Sequence, residues 1–217
     1  MKTFVIGDIH GHCKALVACL KACDFDYGQD RLIALGDVCD RGPHTKECID
    51  ELLKIRHLVY LLGNHDAWAL EWVIYGKPAK EWMEQGGAET ILSYKGTGMP
   101  REHTLLLAKA PLYFEDGNRL FVHAGFDPDL GVKGTPNEIF IWDRGLVASA
   151  EQLQKADPNR KFGGYDEIYI GHTPDAFDPG RGPRHFCNVW AMDSGAGYGY
   201  NLTIMDVDTK QFWKTNV

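Results

Sequence analysis

Short apolar runs alternate with amphipathic stretches through the first third of the chain. Lys2–Ile6 reads as an apolar strand, and Gly7–Gly11 as a glycine-bounded loop. Over Cys13–Cys23 apolar residues recur at helical spacing, with Leu16, Cys19, Leu20 and Cys23 on one stripe. Arg31–Leu35 predicts a second strand, Thr45 to about Arg56 a helix after the Gly42-Pro43 break, and His57–Leu62 a third strand. This β-α-β-α-β rhythm predicts parallel strands with functional loops at their C-terminal ends.

The middle of the chain loses that rhythm. Asp66–Tyr75, Pro78–Gln85 and Ala88–Tyr94 carry helical patterns, and residues 67–110 read as a helical insertion within one domain of residues 1–217. Trp68, Trp72 and Trp82 recur at helical spacing there, which favours core over a ligand platform. In the second half, Leu112–Glu115, the turn Asp116-Gly117-Asn118 and Arg119–His123 predict a hairpin. Glu167–Ile170, Phe186–Met192, Leu202–Val207 and Gln211–Trp213 predict further strands. The fold class is therefore α/β, with a mixed sheet or two packed sheets.

One signature recurs along this framework: an apolar strand ends, and a glycine with a metal-type ligand follows at once. It occurs at Gly7-Asp8-Ile9-His10-Gly11, Gly36-Asp37, Gly63-Asn64-His65-Asp66 and Gly171-His172-Thr173, with a variant at His123-Ala124-Gly125. Taken singly, an aspartate after a strand is an ordinary turn or cap residue. Five such blocks in series are not explained by turn chemistry. Asp8, His10, Asp37, Asn64, His123 and His172 form a mixed oxygen and imidazole set suited to Mn, Fe or Zn. Six ligands exceed what one open metal needs and suit two cations sharing a carboxylate. Such a pair activates a bridging hydroxide for in-line attack on phosphorus. His65 is placed beside Asn64 to protonate the leaving group, with Asp40 as its orienting carboxylate. Arg41 and Arg144 supply forks for phosphate oxygens. His12, His44, His57, His103 and His185 lack this context and are read as non-ligands.

Charge and cysteines narrow the field. A net charge of -7 disfavours non-specific contact with nucleic acid or an anionic membrane. No apolar run is long enough to span a bilayer, and the first strand begins too early for a signal peptide, so a cytoplasmic location is expected. Cys13, Cys19, Cys23, Cys39, Cys48 and Cys187 include no Cys-x-x-Cys pair, which argues for reduced, structural thiols.

The five blocks, with Gly36–Gly42 in full as Gly-Asp-Val-Cys-Asp-Arg-Gly, resemble the PPP family of metallophosphatases within the calcineurin-like phosphoesterases, bacterial and phage type. The resemblance implies a β-sandwich of two mixed sheets flanked by helices. It implies one metal on Asp8, His10 and Asp37, and a second on Asp37, Asn64, His123 and His172, with Mn the first expectation. It also implies His65 as general acid oriented by Asp40, and Arg41 and Arg144 as phosphate clamps. The implied substrates are phosphoserine and phosphothreonine in proteins, or a small phosphoester. Protein phosphatases of the family carry Arg before Gly-Asn-His and Glu after it, whereas Leu62 and Asp66 stand here, as in the symmetrical diadenosine tetraphosphate hydrolases. Those hydrolases are longer chains, which keeps them the alternative. The glycine-rich stretch 193–200 reads either as a loop at the mouth of the site or as a plain inter-strand loop.

Overall fold

A computed structural model describes residues 1–175, 178 and 181–217. In chain order its elements are β1 (Thr3–Ile6), α1 (Cys13–Ala22), β2 (Arg31–Ala34), α2 (Thr45–Leu52) and β3 (His57–Tyr60). The helical stretch follows as α3 (Asn64–Tyr75), α4 (Lys80–Glu84), α5 (Gly87–Ser93) and α6 (Arg101–Ala108). Then come β4 (Tyr113–Asp116), β5 (Arg119–Val122), α7 (Gly131–Gly134), α8 (Asn137–Trp142) and α9 (Gly145–Leu153). The chain closes with β6 (Glu167–Ile170), β7 (Arg184–Phe186), β8 (Val189–Ala191), β9 (Asn201–Asp206) and β10 (Phe212–Asn216).

The strands form two five-stranded mixed sheets, ordered β10-β9-β1-β2-β3 and β4-β5-β6-β8-β7. β1, β2 and β3 pair in parallel, as the alternating pattern predicts, with Val5 opposite Ile33 and Ile33 opposite Val59. β5, β6 and β8 are likewise parallel. The period of two in a strand sorts the side chains between layers. Val5, Ile33, Phe121, Tyr169 and Met205 point into the space between the sheets, where the Phe121 and Tyr169 rings stack at 4.7 Å. Their neighbours Phe4, Ile6, Leu32 and Ala34 face outward into the core under α1 and α2, and Leu120, Val122, Ile168 and Ile170 into the core under α8 and α9. The result is two packed sheets with helices on both outer faces, and strands apolar on both sides for that reason.

Several sequence expectations are corrected. The helix beginning at Thr45 ends at Leu52, because the chain needs Leu53–Arg56 to turn back into β3. The single strand expected over Phe186–Met192 is the hairpin β7–β8, with Cys187 in a left-handed turn at φ 54°. The predicted β4–β5 hairpin closes on a shorter loop, Gly117-Asn118, with Asp116 paired to Arg119. Helix α6 falls inside the helical insertion expected over residues 67–110, whereas α7 to α9 were not anticipated; α7 and α8 have four and six residues, too short for periodicity to register. Both cysteines of the α1 stripe, Cys19 and Cys23, are buried.

Candidate metal centre

Every ligand-type residue leaves the C-terminal end of a parallel strand: Asp8 and His10 after β1, Asp37 after β2, Asn64 and His65 after β3, His123 after β5, His172 after β6. The two sheets present these ends on a common edge. Backbone bonds lock the loops together. Ile9 and His10 both donate their amides to the Asp37 carbonyl, at 3.0 and 2.8 Å. His172 N donates to Asp8 Oδ1 at 3.0 Å, and His65 N to Asp37 Oδ1 at 3.0 Å. His10, Asp37, Asp40, Arg41 and His172 all have positive φ, between 46° and 75°. Non-glycine residues in that region cost energy and cluster where a site imposes them. Two glycines are required by close approach. A Cβ on Gly63 would fall 2.0 Å from Asp37 Oδ1, and one on Gly171 would fall 2.2 Å from Asp8 Oδ1.

The donor chemistry is what a cation site needs. His10 Nδ1 donates to the Cys39 carbonyl at 2.8 Å, and His123 Nδ1 to the Leu35 carbonyl at 2.7 Å. A carbonyl can only accept, so each neutral ring turns an unprotonated Nε2 inward. These lone pairs face Asp37 Oδ2, 3.8 Å from His10 Nε2 and 3.5 Å from His123 Nε2. Asn64 Oδ1 lies 3.1 Å from His123 Nε2. His172 Nε2 is buried without a partner. Acceptors converging on acceptors repel unless a cation stands among them, so the residues present fit divalent metal ions. Two groups of ligand atoms cluster tightly, His10 with Asp37 and His65, and Asp37 with His123 and His172; Asp37 belongs to both.

The electrostatics agree. Burial, then His65, depresses the His10 pKa well below the usual imidazole value; burial, then His172, does the same to His123. Burial, then the Arg144 charge, lowers His172 to about 3. The rings are thus neutral and ready to ligate. Burial, then Asp193, raises Asp8, and burial, then Asp8, raises Asp37. Neighbouring buried carboxylates that resist ionising together are what positive charge would relieve.

His65 stands at the edge of this group. Its Nδ1 donates to Asp40 Oδ2 at 2.6 Å. Asp40 is fully buried and also accepts from Trp82 Nε1 and Thr90 Oγ1, both at 2.7 Å. His65 Nε2 opens to the pocket, with Arg41 Nη2 at 3.4 Å. The pocket, about 190 Å3, is lined by Asp8, His10, Asp37, Asn64, His65 and His172, by Arg41 and Arg144, and by Trp68, Trp142, Asp193 and Tyr198. All predicted site residues therefore meet in one place: His123 is buried behind the lining and Asp40 behind His65.

Residues missed by the sequence reading support the site from beneath. Asp66 accepts from the amides of Asp37, Val38, Cys39 and Gly63 and from the Tyr60 hydroxyl, at 2.6–3.2 Å. It anchors the Asp37 loop and does not line the pocket, so its departure from the phosphatase pattern sits away from substrate. Asp193, buried and pushed by burial to about 6, had only its place in a glycine-rich stretch to signal it. The three tryptophans divide: Trp82 is fully buried, Trp72 packs against the core, and Trp68 reaches the pocket.

Among known proteins, the calcineurin-like phosphoesterase profile matches residues 1–175. The chain is 30% identical over 209 residues to serine/threonine-protein phosphatase 1 of Salmonella typhimurium, covering 93% of this chain and 89% of that protein. It is 31% identical over 183 residues to the symmetrical bis(5'-nucleosyl)-tetraphosphatase of Neisseria meningitidis, covering 83% of this chain but 59% of that enzyme. Its fold superposes on the crystal structure of a candidate diadenosine tetraphosphatase with a TM-score of 0.75 at 20% identity, over 99% of this chain and 93% of the other. It also superposes on a serine/threonine phosphatase of Saccharomyces cerevisiae with a TM-score of 0.64 at 14% identity, over 99% and 79%. With strand-end ligands, shared carboxylate and sequence match in agreement, the chain belongs to the calcineurin-like phosphoesterase family, binuclear metal-dependent hydrolases of phosphoester bonds.

Proposed function

We propose that this chain is a metal-dependent phosphomonoesterase acting on phosphoserine and phosphothreonine in proteins, within one domain of residues 1–217 that carries residues 67–110 as a helical insertion. Asp8, His10 and Asp37 would hold one divalent cation, and Asp37, Asn64, His123 and His172 a second; Mn is the first cation to load. When bound, such a pair supplies Lewis-acid stabilisation of phosphoryl charge and hydroxide near neutral pH. The chain's own residues do the rest. Arg41 and Arg144 bind and orient the phosphate, which fixes phosphorus in the pocket. His65 holds a proton on Nε2 and gives it to the departing alkoxide oxygen. Asp40 accepts the hydrogen bond from Nδ1–H and so fixes the ring's orientation. Trp82 and Thr90 keep Asp40 from rotating away.

The observation that carries the protein-phosphatase reading is length. The match to the Salmonella phosphatase runs over nearly the whole of both proteins, while the chain spans 59% of the Neisseria tetraphosphatase. The dinucleotide reading is supported by the same order of identity to that enzyme and by Trp68 and Trp142 at the pocket, two faces on which a base could stack. A cytoplasmic location follows from the same reading, and among the described residues no helix is long and apolar enough to cross a membrane. Mn-loaded protein should turn over a phosphothreonine peptide faster than diadenosine tetraphosphate. Turnover of the dinucleotide alone would reject the proposal in favour of the alternative.

A further inference from the structure

The stretch Gly195–Gly199 makes a short 3-10 turn, Ala196–Tyr198, bracketed by two left-handed glycines. It projects Tyr198, whose surface is 59% exposed, over the pocket. The ring is not idle. The Arg41 guanidinium lies over it, 4.3 Å from the ring centroid. Gly197 makes that approach possible, since a Cβ there would fall 2.8 Å from Arg41 Cδ and 2.4 Å from His10 Cδ2.

Apart from the ring, the Arg41 guanidinium makes only long contacts among the described residues. The Arg41 backbone is left-handed at φ 68°. Its Nη2 lies 3.4 Å from His65 Nε2 and 3.5 Å from Gln85 Oε1, both long contacts. Among the described residues no carboxylate forms an ion pair with it. A carboxylate would occupy the in-plane N–H fork that phosphate needs. An aromatic ring takes the guanidinium face instead and leaves the fork free.

We propose that Tyr198 is a positioning residue for phosphate binding, acting through Arg41; this rests on the reading of Arg41 as a phosphate clamp. The test uses the metal-loaded full chain, p-nitrophenyl phosphate as substrate and inorganic phosphate as competitive inhibitor. Tyr198→Ala should raise KM and the phosphate inhibition constant together by about two- to fivefold, the range of a partly exposed cation–π contact. The melting temperature should stay unchanged, because the ring is exposed. Tyr198→Phe should restore both constants, since the ring face and not the hydroxyl is used. In an Arg41→Ala background, Tyr198→Ala should add nothing. The inference is overturned if Arg41→Ala weakens phosphate inhibition while Tyr198→Ala does not, if Tyr198→Phe behaves like Tyr198→Ala, or if the two losses multiply. Arg41→Ala without effect on phosphate inhibition would instead remove the clamp reading beneath it.

Discussion

Replacing His65 by Asn separates proton donation from every other part of the proposed site. The backbone amide of His65 bonds Asp37 Oδ1 at 3.0 Å, and Asn at 65 keeps that bond. Asp40 retains Trp82 Nε1 and Thr90 Oγ1 at 2.7 Å, and the Asn amide can replace the lost donor. The buried carboxylate is therefore never stranded, and the structural cost stays within about 1.5–3 kcal/mol, the size of one charged hydrogen bond. The loss in turnover should be larger. A positioned general acid contributes about 10²–10⁴-fold, or about 3–5.5 kcal/mol of barrier. That loss applies only when the leaving oxygen needs a proton. The assay compares kcat on a phosphothreonine peptide, whose alkoxide is a poor leaving group, with kcat on p-nitrophenyl phosphate, whose phenolate leaves unaided. The peptide rate should fall by about 10²–10⁴-fold and the aryl rate by less than about tenfold. Metal content, measured by plasma emission, should remain at two ions per chain. Equal losses on both substrates, or loss of one ion, would refute the reasoning and make His65 a ligand beside His10 and Asp37.

Other expectations follow from the supporting residues. Asp66→Ala strips the acceptor from four amides and the Tyr60 hydroxyl; at about 1–3 kcal/mol for each stranded group, urea denaturation should show a loss above about 4 kcal/mol and weaker metal binding. Trp82→Phe keeps an aromatic ring, though a smaller one, and removes one donor from Asp40; peptide turnover should drop about tenfold while the aryl substrate is little changed, since about 1.4 kcal/mol is a tenfold effect. In metal-free protein, His172 is lowered from 6.5 to about 3, so the unfolded chain binds the extra proton between those values. Its contribution to stability is complete above 6.5 and is lost as pH falls, by up to about 1.4 kcal/mol per unit. In urea titrations in chelator between pH 6.5 and 4.5, His172→Gln should reduce the slope by this one residue's share, with His10 and His123, also lowered by burial, keeping theirs.

Much of the candidate site was legible in the sequence because its candidate ligands are local to strand ends. A strand of three or four apolar residues, a glycine and a ligand together form a local unit, and β1, β2, β3 and β6 each repeat it. The apolar runs of β1, β2, β5 and β6 likewise foretell buried strands, though not that Val5, Ile33, Phe121 and Tyr169 from two sheets share one layer. Helices α7 and α8 escaped, since four and six residues complete too little of a turn pattern. The division of labour among Trp68, Trp72 and Trp82 also escaped, because helical spacing says which residues share a face and not what that face meets.

The amino-acid sequence by itself determined the candidate ligand types, their order, the parallel strands that carry them and the apolar runs that bury those strands, because each depends on residues within a few positions of one another. Tertiary structure alone decided what surrounds them. Asp40 finds Trp82 and Thr90 across 42 and 50 residues of chain. Asp66 turns inward to hold the Asp37 loop, and Tyr198 comes to lie on Arg41 from a distant part of the chain. Such contacts depend on how layers stack, and the free energy that selects them is the burial of both sheets at once, which no short segment contains.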